Sequence, residues 1–236
     1  MNPTINNVPK HIGVILDGNR RFAKRLMLKP WQGHEWGYKK IKELLRWCKE
    51  FKINELTLYS FSLENFDRPK KEFDYLMDLF EKAFKETRED PEIHDNKIKI
   101  NFIGRIEKFP EKVQTAMKEL SEATKNYAGF IVNFAMAYSG RAEIIDATKK
   151  IAQQVREGKL DIDQINEEVF RKNIYLESEP DLIIRTSEKR LSGFLLWQGS
   201  YAEIEFLPNT LWPEFSKEQF VKCLEDYSNR KRKFGK

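Results

Sequence analysis

HIGVILDGNRR, His11 to Arg21, decides how this chain is read. The apolar run Ile12–Leu16 ends abruptly at a carboxylate, a glycine, an amide and two guanidiniums. A short apolar run bounded by turn residues is a buried strand, so these polar groups emerge at a strand's carboxyl end. Comparable runs lie at Leu56–Phe61, Ile98–Ile103, Phe130–Ala137, Leu182–Ile184 and Tyr201–Phe206. Amphipathic segments separate them. Ile41, Leu44, Leu45, Cys48 and Phe51 share one helical face, and Phe73, Leu76, Met77, Phe80 and Phe84 share another. A third helix is expected from about Pro110 through Val113, Met117 and Leu120. Ser216 and Gln219 form a capping box ahead of Phe220 and Leu224. Strand alternating with helix gives an α/β fold: a central, mostly parallel β-sheet flanked by helices. The ligand crevice of such a fold opens at the carboxyl ends of the strands.

The chain has 236 residues and no Pro/Gly/Ser-rich linker, so a single domain over 1–236 is expected, with flexible ends at 1–10 and 230–236. Hydrophobic residues at 40% supply a sizeable core, and charged residues at 33% a solvated surface, which excludes wholesale disorder. A net charge of +5 suits an anionic partner without choosing among diphosphate, nucleic acid and acidic membrane. Cys48 and Cys223 have no metal-ligand spacing and read as reduced structural thiols of a cytoplasmic protein. The longest stretch without charge, Tyr127–Gly140, has 14 residues, short of the roughly 18 of a membrane span. Any membrane contact is therefore peripheral, with the basic end RKRKFGK, Arg230–Lys236, as its candidate. The five Trp are scattered rather than interleaved with basic residues, which argues against nucleic acid.

Three clusters carry chemistry. In the first, Gly18 permits close backbone approach, Arg20 and Arg21 can fork onto phosphate oxygens, and Asp17 can hold Mg2+. An Asx turn with solvated arginines is the plain alternative. The second, YSFSLENFDRP (Tyr59–Pro69), crowds polar groups at a strand end beside Phe66. The third, DLIIRTSEKRLS (Asp181–Ser192), again ends a strand in cations and hydroxyls. In SYAEIEF, Ala202, Ile204 and Phe206 alternate with Tyr201, Glu203 and Glu205, leaving Glu203 as either a surface acid or a second metal carboxylate.

The ordered blocks HIGVILDGNRRFAK, GHEWG, YSFSLENFDRP, NFAMAYSGRAEI and DLIIRTSEKRLSGFLLWQGSYAEIEF with LWPEF resemble the cis-prenyltransferase, or undecaprenyl diphosphate synthase, family from His11 to Phe215. The resemblance implies an α/β homodimer with a hydrophobic tunnel, dependent on Mg2+, that adds isopentenyl diphosphate to an allylic prenyl diphosphate. By it, Asp17 is the catalytic carboxylate and metal ligand, and Asn65 assists proton removal. Gly18, Asn19, Arg20, Arg21, Phe22 and His34 correspond to the allylic diphosphate site; Ser62, Leu63, Glu64, Phe66 and Arg68 to the substrate stretch. Arg185, Arg190, Leu191 and Ser192 correspond to the isopentenyl diphosphate site, and Glu203 to a metal carboxylate completing the site across a dimer. A neutral amide is a poor base, so Asn65 is expected to orient a diphosphate oxygen or water. Tunnel walls are expected from Phe73, Phe80, Phe84, Phe102, Phe134, Met77 and Met136, with Ser60 beside them.

Several positions depart from the family pattern. Pro30 stands where many members have arginine, the Arg185–Arg190 loop is one residue short, and Phe22 and Phe66 stand where bacterial members usually have Trp. DGNRRFA with PWQGH is closer to archaeal and eukaryotic relatives, and Lys233-Phe234-Gly235 approximates a terminal Arg-x-Gly. Archaeal likeness makes geranylgeranyl diphosphate a primer candidate beside farnesyl diphosphate, with a long-chain glycosyl carrier precursor as product. Two rivals fit less well. An aspartyl-nucleophile phosphatase predicts DxD, where Asn19 stands, and a non-catalytic subunit of a heteromeric prenyltransferase would lose the Asp17 carboxylate.

Overall fold

The computed structural model describes residues 5 and 7–230. Six strands form one fully parallel sheet: β1 (His11–Ile15), β2 (Glu55–Ser62), β3 (Lys99–Ile103), β4 (Ile131–Tyr138), β5 (Leu182–Thr186) and β6 (Glu203–Leu207), in the order β3-β4-β2-β1-β5-β6. Every residue of β1 is buried, which is why it reads as a continuous apolar run rather than an alternation. Its neighbours are β2 (Ile12 opposite Leu56) and β5 (Ile12 opposite Leu182). The chain winds from β1 in both directions, so the switch point lies at β1, and its carboxyl end opens a crevice.

The helices are α1 (Asn19–Arg25), α2 (Gly33–Glu50), α3 (Lys70–Arg88), α4 (Pro91–Asp95), α5 (Glu111–Thr124), α6 (Gly140–Arg156), α7 (Glu167–Arg171) and α8 (Lys217–Asn229). On one face of the sheet Ile12, Val14, Leu56, Leu58, Val132 and Met136 join side chains of α2, α3, α5 and α8 in the main core. On the other, Ile15, Tyr59, Ile183 and Phe194 build a second core. The capping box at α8 forms as expected: Gln219 N donates to Ser216 Oγ at 3.3 Å and Ser216 N to Gln219 Oε1 at 3.1 Å. Both Cys48 and Cys223 are free and buried, and burial pushes both thiols up, Cys223 to about 12. No helix among the described residues is long and apolar enough to cross a membrane. The basic end, including Lys233-Phe234-Gly235, lies outside the described residues apart from Arg230.

The strands differ from their expected bounds by one or two residues, most at β6. There Tyr201 and Ala202 are left out, because Gly199 and Ala202 close a turn first.

Candidate active site

Asp17 follows β1 directly, and its loop is fixed from below. Thr186 Oγ1 (2.7 Å), Ser187 Oγ (3.1 Å) and Trp212 N (2.9 Å) all donate to its backbone carbonyl. Gly18 turns the chain at φ 112°, and a Cβ there would fall 2.4 Å from Ser187 Oγ, so glycine is required on both counts. The glycines of GHEWG have a packing reason. A Cβ on Gly33 would meet the Asn19 carbonyl at 2.0 Å, and one on Gly37 would meet Asn19 Oδ1 at 2.3 Å. They let α2 lie against the start of α1.

Arg185, near the end of β5 and only 3% exposed, donates through Nη2 to Asp17 Oδ2 at 2.9 Å. Its Nη1 donates to Ser192 Oγ at 2.7 Å and to the Arg190 carbonyl. Arg21 reaches Asp17 Oδ1 (3.5 Å) and Glu188 Oε1 (3.2 Å) from the other side. Two separated stretches of sequence thus converge on one carboxylate that remains a third exposed.

A second anchor was not foreseen from sequence. Glu72, in the first turn of α3 and 2% exposed, accepts from Arg68 Nη1 at 2.9 Å and lies 3.6 Å from Arg20 Nε. Its signal was the i,i+4 spacing from Arg68 on a helix start. Arg68 Nη1 also lies 3.3 Å from His34 Nε2. Burial first, then Arg68 and Arg20, depress the His34 pKa from 6.5 to about 3, so at neutral pH this imidazole is uncharged and accepts from Arg68. Ser139 and Arg141, which also line the cavity, were likewise missed as site residues. They end β4 in small, polar and cationic residues, as Asp17–Arg21 end β1.

Asp17, Gly18, Asn19, Arg20, Arg21, His34, Ser62, Glu64, Asn65, Arg68, Arg185, Arg190 and Ser192 all line one cavity of about 1340 Å³. Phe22, Leu63, Phe66 and Leu191 do not line it. Phe22 packs on Trp36 (ring centroids 5.7 Å), and Phe66 lies among Phe61, Phe73 and Phe109. Leu63 packs against the main core and Leu191 against the second. These four apolar side chains pack beside the strand ends and loops whose polar groups line the cavity. Asn65 is partly a brace too: its Oδ1 accepts from Ser62 N at 3.1 Å, capping the 3-10 turn Leu63–Asp67. Asn19 Nδ2 donates to the Leu16 carbonyl at 3.0 Å, tying the loop to its own strand.

Glu203, expected to complete the site across a dimer, does not approach Asp17 of its own chain. It sits at the amino end of β6 opposite Leu182, at the far edge of the strands from Asp17, and pairs with Arg230 at 2.7 Å. No group of three metal-ligating side chains occurs among the described residues. Asp17 nevertheless fits Mg2+, which commonly takes one or two carboxylates and completes its shell with phosphate oxygens and water.

Beyond the polar mouth the cavity follows the sheet face toward the strands' amino ends, past Phe61, Val132, Ile100 and Ile98. At about 3.3 Å per residue, β2 alone spans roughly 26 Å. Phe80, Phe84 and Phe134 line it as expected, and Ser60 does too. Phe73, Phe102, Met77 and Met136 do not. Phe102 stacks behind Phe134 at 5.5 Å, and the two methionines are buried in the core. Periodicity puts a side chain on the buried face of its element, but not on the part of that face left unfilled.

A cationic mouth around Asp17, opening into a long apolar cavity over a parallel sheet, suits an enzyme for an anionic head carrying a hydrocarbon tail. The Prenyltransf model, undecaprenyl diphosphate synthase, matches residues 15–235, and the chain belongs to that family of prenyl-transferring enzymes. It is 48% identical over 98% of its length to a tritrans,polycis-undecaprenyl-diphosphate synthase (geranylgeranyl-diphosphate specific) of Methanocaldococcus jannaschii, covering 84% of that protein. A protein of the same description from Pyrococcus horikoshii is 45% identical over 97% of the chain and 88% of the relative. Among solved structures, lavandulyl diphosphate synthase from Lavandula x intermedia, in complex with dimethylallyl diphosphate, superposes with a TM-score of 0.90. It is 32% identical and covers 97% of this chain and 99% of its own.

Proposed function

We propose that this chain condenses isopentenyl diphosphate repeatedly with geranylgeranyl diphosphate, giving a long-chain Z-polyprenyl diphosphate that serves as a glycosyl carrier precursor. The supporting observation is the Asp17–Arg185 contact at the mouth of the apolar cavity. Coupling two prenyl units requires the allylic carbon–oxygen bond to break as the alkene of isopentenyl diphosphate forms the new carbon–carbon bond, after which the adduct loses a proton. The leaving diphosphate needs charge stabilisation, for which Arg20, Arg21, Arg68, Arg185 and Arg190 all line the mouth. Mg2+ bound at Asp17 would add Lewis-acid stabilisation of that anion. Neutral His34 accepts from Arg68 and so aims its guanidinium without adding charge. Asn65 Oδ1 is engaged with Ser62 N, so its amide nitrogen orients a diphosphate oxygen or water rather than taking the proton itself.

The growing tail occupies the space between α2 and α3. Each five-carbon unit withdrawn from water is stabilised by up to about 4 kcal/mol at roughly 0.8 kcal/mol per CH2-sized group, so product leaves slowly without a lipid or detergent acceptor. We also propose a homodimer in which Glu203 of one copy approaches the other's site. The deciding experiment is incubation with labelled isopentenyl diphosphate, Mg2+ and dimethylallyl, geranyl, farnesyl or geranylgeranyl primers, with chain-length analysis. Geranylgeranyl diphosphate is expected to be extended best. No elongation with any primer would instead indicate a non-catalytic subunit.

A further inference from the structure

The turn after α1 exposes apolar side chains at a place where folding alone does not favour them. Leu28 N donates to the Ala23 carbonyl at 2.9 Å and Met27 N to that of Lys24 at 3.0 Å, the paired bonds of a Schellman ending. Met27 occupies the left-handed position, φ 57°, where glycine is usual and a longer side chain is strained. Its side chain gains no packing in return: Met27 is 96% exposed, with Leu26 at 47% and Leu28 at 37% beside it. Phe22, one helical turn before Leu26, packs on Trp36, itself 47% exposed, so the apolar surface continues onto α2. Contiguous exposure of this kind marks a contact surface.

The surrounding charge identifies the partner. Residues 20–40 hold seven of the chain's 42 Lys and Arg but one of its 37 Asp and Glu. Four of the seven pair with acids (Arg20 with Glu72, Arg21 with Asp17 and Glu188, Arg25 with Glu214, Lys40 with Glu43), and Lys24, Lys29 and Lys39 are the exposed cations around the turn. Lys39 lies over the Trp36 ring at 5.5 Å and Lys29 over Trp31 at 5.7 Å, with Lys24 at the cavity mouth. Apolar residues and Trp at a tip, ringed by long cationic side chains, match the layering of an acidic bilayer surface: hydrocarbon below, anionic headgroups around. We propose that the Leu26–Lys29 turn and Trp36 form a docking surface for an anionic lipid bilayer, which seats the cavity mouth against the membrane. The docking stands on this patch. Its use, delivering a lipid product without passage through water, rests on the proposed reaction.

The test is flotation of the full chain, without substrates, with phosphatidylcholine vesicles containing or lacking phosphatidylglycerol. Wild type should float with the anionic vesicles and dissociate as salt rises. Met27→Gly relieves the strained turn, so a purely structural role predicts equal or higher thermal stability and no change in flotation. Docking predicts the same stability with vesicle binding weakened about tenfold, the effect of withdrawing one Met-sized group from the bilayer. Met27→Asp should weaken it further, and the double variant Lys24→Glu/Lys29→Glu should abolish the preference for phosphatidylglycerol. Unchanged flotation of both Met27 variants, as expected if the basic end alone bound lipid, would overturn the proposal. So would failure of wild type to float, or a Met27 variant that alters the mass in solution, which would mark the turn as a contact between copies. Elongation assays are separate: a chain that floats but does not elongate refutes the reaction, and one that elongates but does not float refutes the docking.

Discussion

The two ends of the cavity are built from the same residue types and arranged to opposite effect. At the mouth five arginines converge, and the acids among them are shared: Asp17 serves Arg185 and Arg21, Glu72 serves Arg68 and Arg20, and Glu188 serves Arg21 and Arg190. At the far end each α2 cation has its own partner: Lys42 with Asp90 (2.9 Å), Arg46 with Glu92 (3.0 Å), and Lys49 with Asn96. Shared acids leave cationic capacity for an anionic ligand; one-to-one pairs leave little. Burial sharpens the contrast at the innermost groups alone, since Arg185 and Glu72 are 3% and 2% exposed while Arg46 and Glu92 are 62% and 52%. Coulombic attraction is strong in the first environment and screened in the second.

If the mouth is where charge does chemistry, removing its central acid should have the largest effect. Asp17→Asn keeps an acceptor for Arg185 but loses the charge proposed to hold Mg2+. Turnover is expected to fall about a thousandfold or more, roughly 4 kcal/mol of barrier, with an unchanged circular dichroism spectrum. Near-normal turnover in a saturating Mg2+ series would remove the distinction between the two ends.

Glu72 is expected to come next, and it separates holding from reacting. Glu72→Ala leaves Arg68 and Arg20 without their buried anion, which should lower stability by about 3 kcal/mol in urea titration. It should also raise KM for the primer more than it lowers kcat, because the arginines are misaligned rather than absent. A variant equal to wild type in both would make Glu72 a bystander.

The fold and the mouth were largely legible because both rest on local rules. Buried strands read as apolar runs, and carboxylate, glycine and guanidinium at their ends mark the crevice, so the two halves of the Asp17–Arg185 pair could be named before their contact was seen. Phe22 and Phe66 lie off the cavity wall, because motif membership does not distinguish a side chain facing the cavity from one bracing the loop behind it. Glu203 shows what alternation alone leaves open: it assigns a face of a strand, while a role for Glu203 at Asp17 would need a second copy of the chain, because Glu203 lies at the opposite end of the strands. Phe102 and Phe134 show the same limit inside the core, stacked together with one facing the cavity. Glu72 was overlooked because an acid in a helix's first turn already has an ordinary explanation in the helix dipole.

The mouth should also respond to acid through His34. Its pKa is 6.5 ordinarily and about 3 in the folded chain, so between those values the unfolded chain binds a proton that the folded chain does not. Stability is then lost as pH falls below about 6.5, by at most about 1.4 kcal/mol per pH unit from this residue. His34→Asn should flatten the fall in melting temperature between pH 6.5 and 4 relative to wild type. An identical slope would mean that the folded imidazole takes up its proton normally, and the cationic character assigned to the mouth would be overstated.

The smallest effect is expected at the far end. Arg46→Ala removes a two-pronged contact to Glu92, yet both partners are more than half exposed, and exposed pairs contribute about 0–1 kcal/mol. Stability should therefore change by less than about 1 kcal/mol, and turnover with a short primer should not change. The informative case is the longest product, whose tail alone reaches this end: its share of the product mixture is the one quantity that opening the far end could raise. A loss of turnover as large as that of Glu72→Ala would show that the paired end also carries function. The difference between shared and matched charges would then no longer distinguish a binding mouth from a closed seam.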